Sequence, residues 1–177
     1  DAAKRCGQYY VNHRWLGGLL TNFSTIQRGI GRLRDIEAMA EDGRYDSLSK
    51  KEIARLEKEK RKLHRNLDGI RNMGKLPDAV FVVDTRHEKI AVDEARKLKI
   101  PVIGLVDTNC DPDDVDFVIP GNDDALRSIR LFVSRIADAV LTGRGLKEAA
   151  NADEANGDGE SVAATDPTPS PSSAAPA

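Results

Sequence analysis

Apolar and polar positions alternate along this chain with two different periods, and the change of period divides it. Over residues 24–73 apolar residues recur at three- and four-residue spacing, the period of one helix face. In the first part of this stretch Ile26, Ile30, Leu33 and Ala40 fall on one stripe that Glu37 interrupts. In the second part Ile53, Leu56, Leu63, Leu67 and Ile70 share a stripe in which Lys60 is the one polar intruder. Ser24 followed by Gln27, and Ser49 followed by Glu52, have the spacing of capping boxes, in which a hydroxyl and the side chain three residues on satisfy reciprocal backbone donors, so each predicts a helix start. The intervening EDGRYDSL contains Gly43 and enough turn formers to reverse the chain. The pattern predicts an antiparallel, coiled-coil helical hairpin. Its narrow seam leaves the remaining faces charged and exposed, so the hairpin is expected to project from the body.

Outside the hairpin the apolar runs shorten. Residues 79–83 (AVFVV) and 101–106 (PVIGLV) are rich in β-branched residues, which predicts strands buried on both faces and hence a parallel sheet. Residues 88–98 read as a helix between them, residues 117–119 as a third strand, and residues 8–12 (QYYVN) as a further strand ahead of the hairpin. Asn122, Asp123 and Asp124 are then placed to cap a helix whose Leu126, Ile129, Val133, Ile136 and Val140 share a face. The order strand, inserted hairpin, strand, helix, strand, strand, helix predicts an α/β fold with a doubly wound, mostly parallel sheet. The domain boundaries follow: residues 1–23 and 74–148 make the α/β domain, and residues 24–73 the inserted hairpin. Residues 149–177 are rich in Ala, Ser, Pro, Gly, Asp and Glu, with Val162 the only large aliphatic residue, and end DPTPSPSSAAPA. So little apolar surface does not offset the entropy of ordering, and a disordered acidic tail is expected.

Composition narrows the function. The 177 residues are enough for one domain with appendages. Nothing approaches the roughly 18 consecutive apolar residues of a membrane span, and no basic-then-apolar leader opens the chain, so a soluble protein is expected. Cys6 and Cys110 lie far apart, without the neighbours that a disulfide framework or a zinc site needs, which fits a reducing, cytoplasmic setting. The net charge of −2 conceals an asymmetry. Residues 1–72 carry 16 Lys and Arg against 10 Asp and Glu, net +6. Residues 73–148 carry 11 against 14, net −3, and residues 149–177 none against 5, net −5. A basic third of this size can meet a polyanion while the whole stays near neutral.

Enzymatic chemistry finds little support. In a parallel sheet, ligands bind at the carboxyl ends of strands, where Asp84 and Asp107 stand with Thr85, Arg86, His87, Thr108 and Asn109 beside them. A small sugar- or nucleotide-binding enzyme using Asp84, His87 and Asp107 is therefore the alternative function, although Asp and Asn after a strand more often serve turns. Gly29 and Gly31 lack the third glycine of a phosphate loop, with Arg34 in its place. The run from Asp111 to Asp116 fails as a calcium loop, because Asp116 stands where glycine is needed and Asn122 where a bidentate glutamate is needed. His13, His64 and His87 are scattered. No catalytic residue, cofactor or metal is expected.

The basic third is more informative. Arg14 and Trp15 pair a cation with a flat aromatic just before Gly17 and Gly18, where a backbone can approach closely. On the hairpin Arg28, Arg32, Lys50, Lys51, Lys58, Arg61, Lys62 and Arg65, with Arg34, Arg55, Lys60 and Arg71, outnumber the acidic residues around them. A projecting basic rod gains nothing in core burial and offers many counterion-releasing charges, which points to phosphate contact. Double-stranded RNA, read by shape and phosphates, needs no base-specific motif.

Two long motifs, NHRWLGGLLTNFSTI (residues 12–26) and LPDAVFVVDTRHEKIAVDEARKLKIPVIGLVDTNCDPDDVDFVIPGNDDA (residues 76–125), with the charged hairpin between them, closely resemble the bacterial small-subunit ribosomal proteins of the S-two family. The resemblance runs in register over about residues 1–145. It implies a flavodoxin-like α/β domain with a protruding coiled-coil hairpin and a structural, non-catalytic role in the cytoplasmic ribosome. The partners it implies are small-subunit ribosomal RNA and neighbouring ribosomal proteins, including the large S-one protein that the family helps recruit, with no DNA and no membrane. Charge and motif position together nominate Arg14, Trp15, Asn22, Arg28, Arg32, Lys50, Lys51, Lys58, Arg61, Lys62 and Arg65 as RNA-binding. Family members ordinarily carry a further N-terminal segment supplying the first strand and helix. The chain opens at Asp1 in what reads as the end of a helix, so a missing front segment is expected.

Overall fold

The computed structural model describes residues 1–157, with side-chain environments through residue 148. The elements are, in chain order, α1 (Ala2–Arg5), α2 (Phe23–Glu41), α3 (Lys50–Leu67), β1 (Val80–Val83), α4 (Lys89–Lys97), β2 (Val102–Val106), β3 (Phe117–Pro120) and α5 (Leu126–Gly157), with single 3-10 turns at Arg44–Ser47, Asp68–Ile70 and Pro112–Asp114. The chain divides into two compact units, Asp1–Asp138 and Ala139–Ala177. The first holds the sheet, α1 to α4 and the start of α5. Of the second, α5 is described to Gly157, with Leu141 and Leu146 exposed on it. The helix thus runs past residue 148, the boundary expected for the domain, and residues 158–177 of the expected tail lie outside the described residues. Among the described residues no helix is long and apolar enough to cross a membrane.

The sheet is parallel, in the order β1-β2-β3, with Val80 opposite Val102, Val82 opposite Gly104 and Ile103 opposite Phe117. Among the described strands the central β2 is the most enclosed, burying Val102, Gly104, Leu105 and Val106 and half-burying Ile103. β1 is half-buried, as an edge strand is, and most of β3 is exposed, so burial on both faces holds for one of the two strands expected to have it. Gly104 is needed where it stands: a Cβ would come within 2.8 Å of both Thr85 Cγ2 and Val115 Cγ1. α4 joins β1 to β2, whereas β2 reaches β3 through the 3-10 turn alone.

Residues 8–12 do not form the expected strand. A strand needs a ladder partner, and this segment instead lies along the turn after α3, where Tyr10 N–H donates to Gly69 O at 3.1 Å. The first capping box is also absent. α2 begins at Phe23 with Asn22 as its N-cap, Ser24 Oγ donates to Asn22 Oδ1, and the Gln27 amide donates to the Met73 carbonyl across the fold. The second forms as expected: Ser49 N–H donates to Glu52 Oε2 at 2.9 Å and Glu52 N–H to Ser49 Oγ at 3.4 Å. On α2 the buried positions are Ile30, Leu33 and Ile36, and Ala40 is exposed. Glu37, read as an interruption of the stripe, pairs with Arg71.

α2 and α3 pack side by side through the Arg32 to Glu59 ion pair at 3.0 Å and the fit of Leu67 Cδ1 over Gly29. Their base is built into the main core: Ile30, Leu67, Ile70 and Met73 join Leu19, Leu20, Val82, Val92, Ala95, Ile100 and Val102 in one buried cluster. The expected cap does not form: Asn122 Oδ1 accepts from Asp124 N–H and Ala125 N–H, both ahead of the helix, so it shapes the turn before α5, which starts at Leu126, 72% exposed; among the residues of α5 through 148, Ala137 is the buried one. Phe132 on this helix lies over Gly121.

Candidate nucleic-acid interface

α3 begins at a capping box and continues in charged residues because only one stripe of it faces α2. Its outer face carries Lys58, Arg61, Lys62 and Arg65, all exposed. Opposite the last of these runs the irregular arm that leads from α1 to α2. Two hollows of about 380 and 330 Å³ lie between them and share His13, Arg61 and Arg65. The first adds Glu57, Lys60 and His64; the second adds Arg14, Lys62 and Asn66. These volumes sit at the bottom of the roughly 300–1,000 Å³ typical of enclosed small-molecule sites, and the walls are cationic where such sites are apolar. The groove suits a charged backbone laid along it.

Arg14 is brought here beside Arg61, Lys62 and Arg65 of α3, which stand about 50 residues further along the chain. The other nominated residues are placed elsewhere. Arg32 is tied to Glu59, an ion pair that holds the Arg32 guanidinium protonated and the Glu59 carboxyl below its ordinary range. Arg28 donates to Thr25 Oγ1 at 2.9 Å on the exposed face of α2. Lys50 and Lys51 occupy the first turn of α3, about 15 Å along the helix from Arg61 at 1.5 Å per residue. Lys58 is exposed on α3 without lining either hollow, and Asn22 is exposed at the start of α2. Trp15 is half-buried, packed against the core cluster.

Trp15 leads to a residue that periodicity does not single out. Glu94 on α4 is only 7% exposed, yet its carboxylate is crowded with donors. Gly18 N–H reaches Oε1 at 2.6 Å, Leu20 N–H and Thr21 N–H reach Oε2 at 2.9 Å each, and Thr21 Oγ1 and Trp15 Nε1 add bonds at 3.1 and 3.4 Å. Burial by itself would push this carboxyl up; the N–H groups of Thr21, Leu20 and Gly18 and the Trp15 ring outweigh it and hold Glu94 below the usual carboxylate range. The signal was present in KIAVDEARKL, where Glu94 stands among Ala91, Ala95 and Leu98 on the apolar face of the helix. A charge in that position requires partners.

At the carboxyl ends of β1 and β2 the strand-end aspartates serve turns. Asp84, at φ 59°, accepts from His87 N–H at 2.9 Å, and Asp107 accepts from Thr108 N–H at 2.6 Å. The His87 ring is exposed and approaches Glu88 instead of the aspartates. Asp84, Cys110 and Asp123 bring one ligand atom each within 4.8 Å of one another. Asp123 is 7% exposed, and burial, then repulsion from Asp84, Asp107 and Asp124, raises its carboxyl above the ordinary range.

A family model described as ribosomal protein S2 matches residues 1–143. A protein named small ribosomal subunit protein uS2 from Acidobacterium capsulatum is 57% identical over 180 residues, covering 99% of this chain and 60% of its own length. One of the same name from Koribacter versatilis is 59% identical over 148 residues, covering 84% of this chain and 49% of its own. The chain therefore spans about half to three fifths of the curated relatives it matches.

Proposed function

The chain belongs to the ribosomal protein S2 family, and from that premise we propose that it is a structural, non-catalytic constituent of the small subunit of the cytoplasmic ribosome. It binds ribosomal RNA along the groove between the arm at His13 and Arg14 and the outer face of α3. The observation that carries this reading is the convergence of Arg14 with Arg61, Lys62 and Arg65 on one open hollow. Four guanidinium and ammonium groups around one open groove offer charge-assisted hydrogen bonds to several phosphates at once, which favours a polyanionic strand. The turn-forming roles of Asp84 and Asp107 support the absence of turnover. The family resemblance extends the proposal to a coiled-coil hairpin on a flavodoxin-like body and to neighbouring ribosomal proteins, S-one among them.

Charge reversal of Arg61, Lys62 and Arg65 together tests it. At about 0.7–0.9 of salt-slope per phosphate contact, the slope of log K against log salt for an RNA duplex should become shallower by about two to three. The tagged wild-type chain should sediment with small subunits and the variant should not. An unchanged slope removes the groove from the RNA interface.

A further inference from the structure

Of the two walls of the groove, α3 is held by its own helical hydrogen bonds, whereas the arm is irregular chain and must be fixed from outside. Two anchors fix it. Upstream, Tyr10 N–H donates to Gly69 O, and the Tyr10 backbone lies so close to Gly69 that any Cβ there would overlap its carbonyl oxygen. Downstream, the Glu94 carboxylate takes bonds from Trp15, Gly18, Leu20 and Thr21. His13 and Arg14 are suspended between these points. Gly18 holds a left-handed φ of 85°, which lets its N–H turn toward the carboxylate. Glu94 itself lines neither hollow, and its charge is opposite to theirs.

We infer that Glu94 is a positioning residue for RNA binding: by clamping residues 15–21 to α4 it sets Arg14 opposite Arg61 and Arg65, so that one run of phosphates meets both walls. The inference rests on the RNA-binding reading above, and it makes a prediction opposite in sign to simple electrostatics. Removing an anion should strengthen binding to a polyanion. Removing this anion should weaken it, because Arg14 loses its place.

The test uses the full chain and a fluorescein-labelled RNA duplex, titrated by anisotropy over a series of salt concentrations. Arg14→Ala removes one phosphate contact, worth about 0.9 in slope and about eightfold in affinity near 0.1 M salt. Glu94→Gln should reproduce most of that loss and the same change of slope, and in the Arg14→Ala background it should change affinity less than about twofold, since coupled residues are non-additive. Glu94→Gln binding as tightly as wild type or tighter, or losing affinity equally in both backgrounds, overturns the inference. If circular dichroism shows Glu94→Gln unfolded at the assay temperature, Trp15→Phe removes a single donor beside Arg14 while keeping the packing. It should weaken binding in the wild-type background and not in the Arg14→Ala background; no change overturns the inference. Arg61→Ala with Arg65→Ala separates the two levels: if that pair leaves binding unchanged, the RNA reading itself fails, whereas weakening there with no effect at Glu94 sinks the positioning role alone.

Discussion

Replacing the buried Glu94 with alanine should destabilise the fold far more than replacing any of the exposed carboxylates. Glu94→Ala leaves the N–H groups of Gly18, Leu20 and Thr21 and the Trp15 ring without their acceptor. Leu20 is buried and Thr21 exposed, so water reaches some of these donors and not others. Two desolvated donors at about 1–3 kcal/mol each put the loss near 3–4 kcal/mol, a large share of the roughly 5–15 kcal/mol that holds a domain together. Glu94→Gln keeps the shape and one acceptor oxygen but turns an NH₂ toward a donor, and should cost about 2 kcal/mol. Urea unfolding followed by circular dichroism checks both: with a slope of about 1–3 kcal/mol/M, the alanine variant's midpoint should fall by more than about 1 M with the slope unchanged. The pH dependence has a definite sign. Because the folded-state Glu94 carboxyl lies below its ordinary value, its contribution is complete above the unfolded value, near 4.3, and is lost as pH falls through the lower folded one. The gap between wild type and Glu94→Gln should therefore be constant from pH 7 to about pH 5 and close below pH 4. A loss under about 1 kcal/mol for Glu94→Ala, or a gap that widens on acidification, refutes the reasoning.

Asp123→Asn should raise the unfolding midpoint at neutral pH, since burial and the neighbouring Asp84, Asp107 and Asp124 disfavour its charge; the gain should vanish as pH falls below the unfolded value and Asp123 protonates in the wild type, and a lower midpoint at pH 7 refutes it. Gly69→Ala forces the Tyr10 carbonyl away, and overpacking of this kind costs about 1–3 kcal/mol, read as a fall of several degrees in the thermal midpoint. Leu33→Ala should cost about 2–5 kcal/mol in urea unfolding, because Leu33 is fully enclosed, whereas Ala40→Ser on the same helix should stay within about 0.5 kcal/mol.

The elements whose cause is local were legible in the chain. The Ser49 and Glu52 capping box, the helix across Ala91 and Ala95, and the apolar runs that became β1 and β2 each depend on residues within a few positions of one another. The mistakes share a different cause. Gln27 has the spacing to close a capping box, yet its amide lies against Met73, which is 46 residues away. Residues 8–12 have strand composition and no ladder partner among the described residues. Which of Ile36 and Ala40 is buried depends on what packs on α2, since both lie near the edge of the same stripe.

By itself the sequence determined the class of fold, the basic third and the family, because periodicity, charge and motif are properties of the chain in order. Only the tertiary structure decided which cations face one another and what holds them there. Arg14 meets Arg61 and Arg65 because the arm is docked on Gly69 at one end and on the Glu94 carboxylate at the other. Hydrogen bonds between segments 74 and 76 residues apart leave no periodic trace. They are satisfied in space, by the demand that a buried charge find its donors.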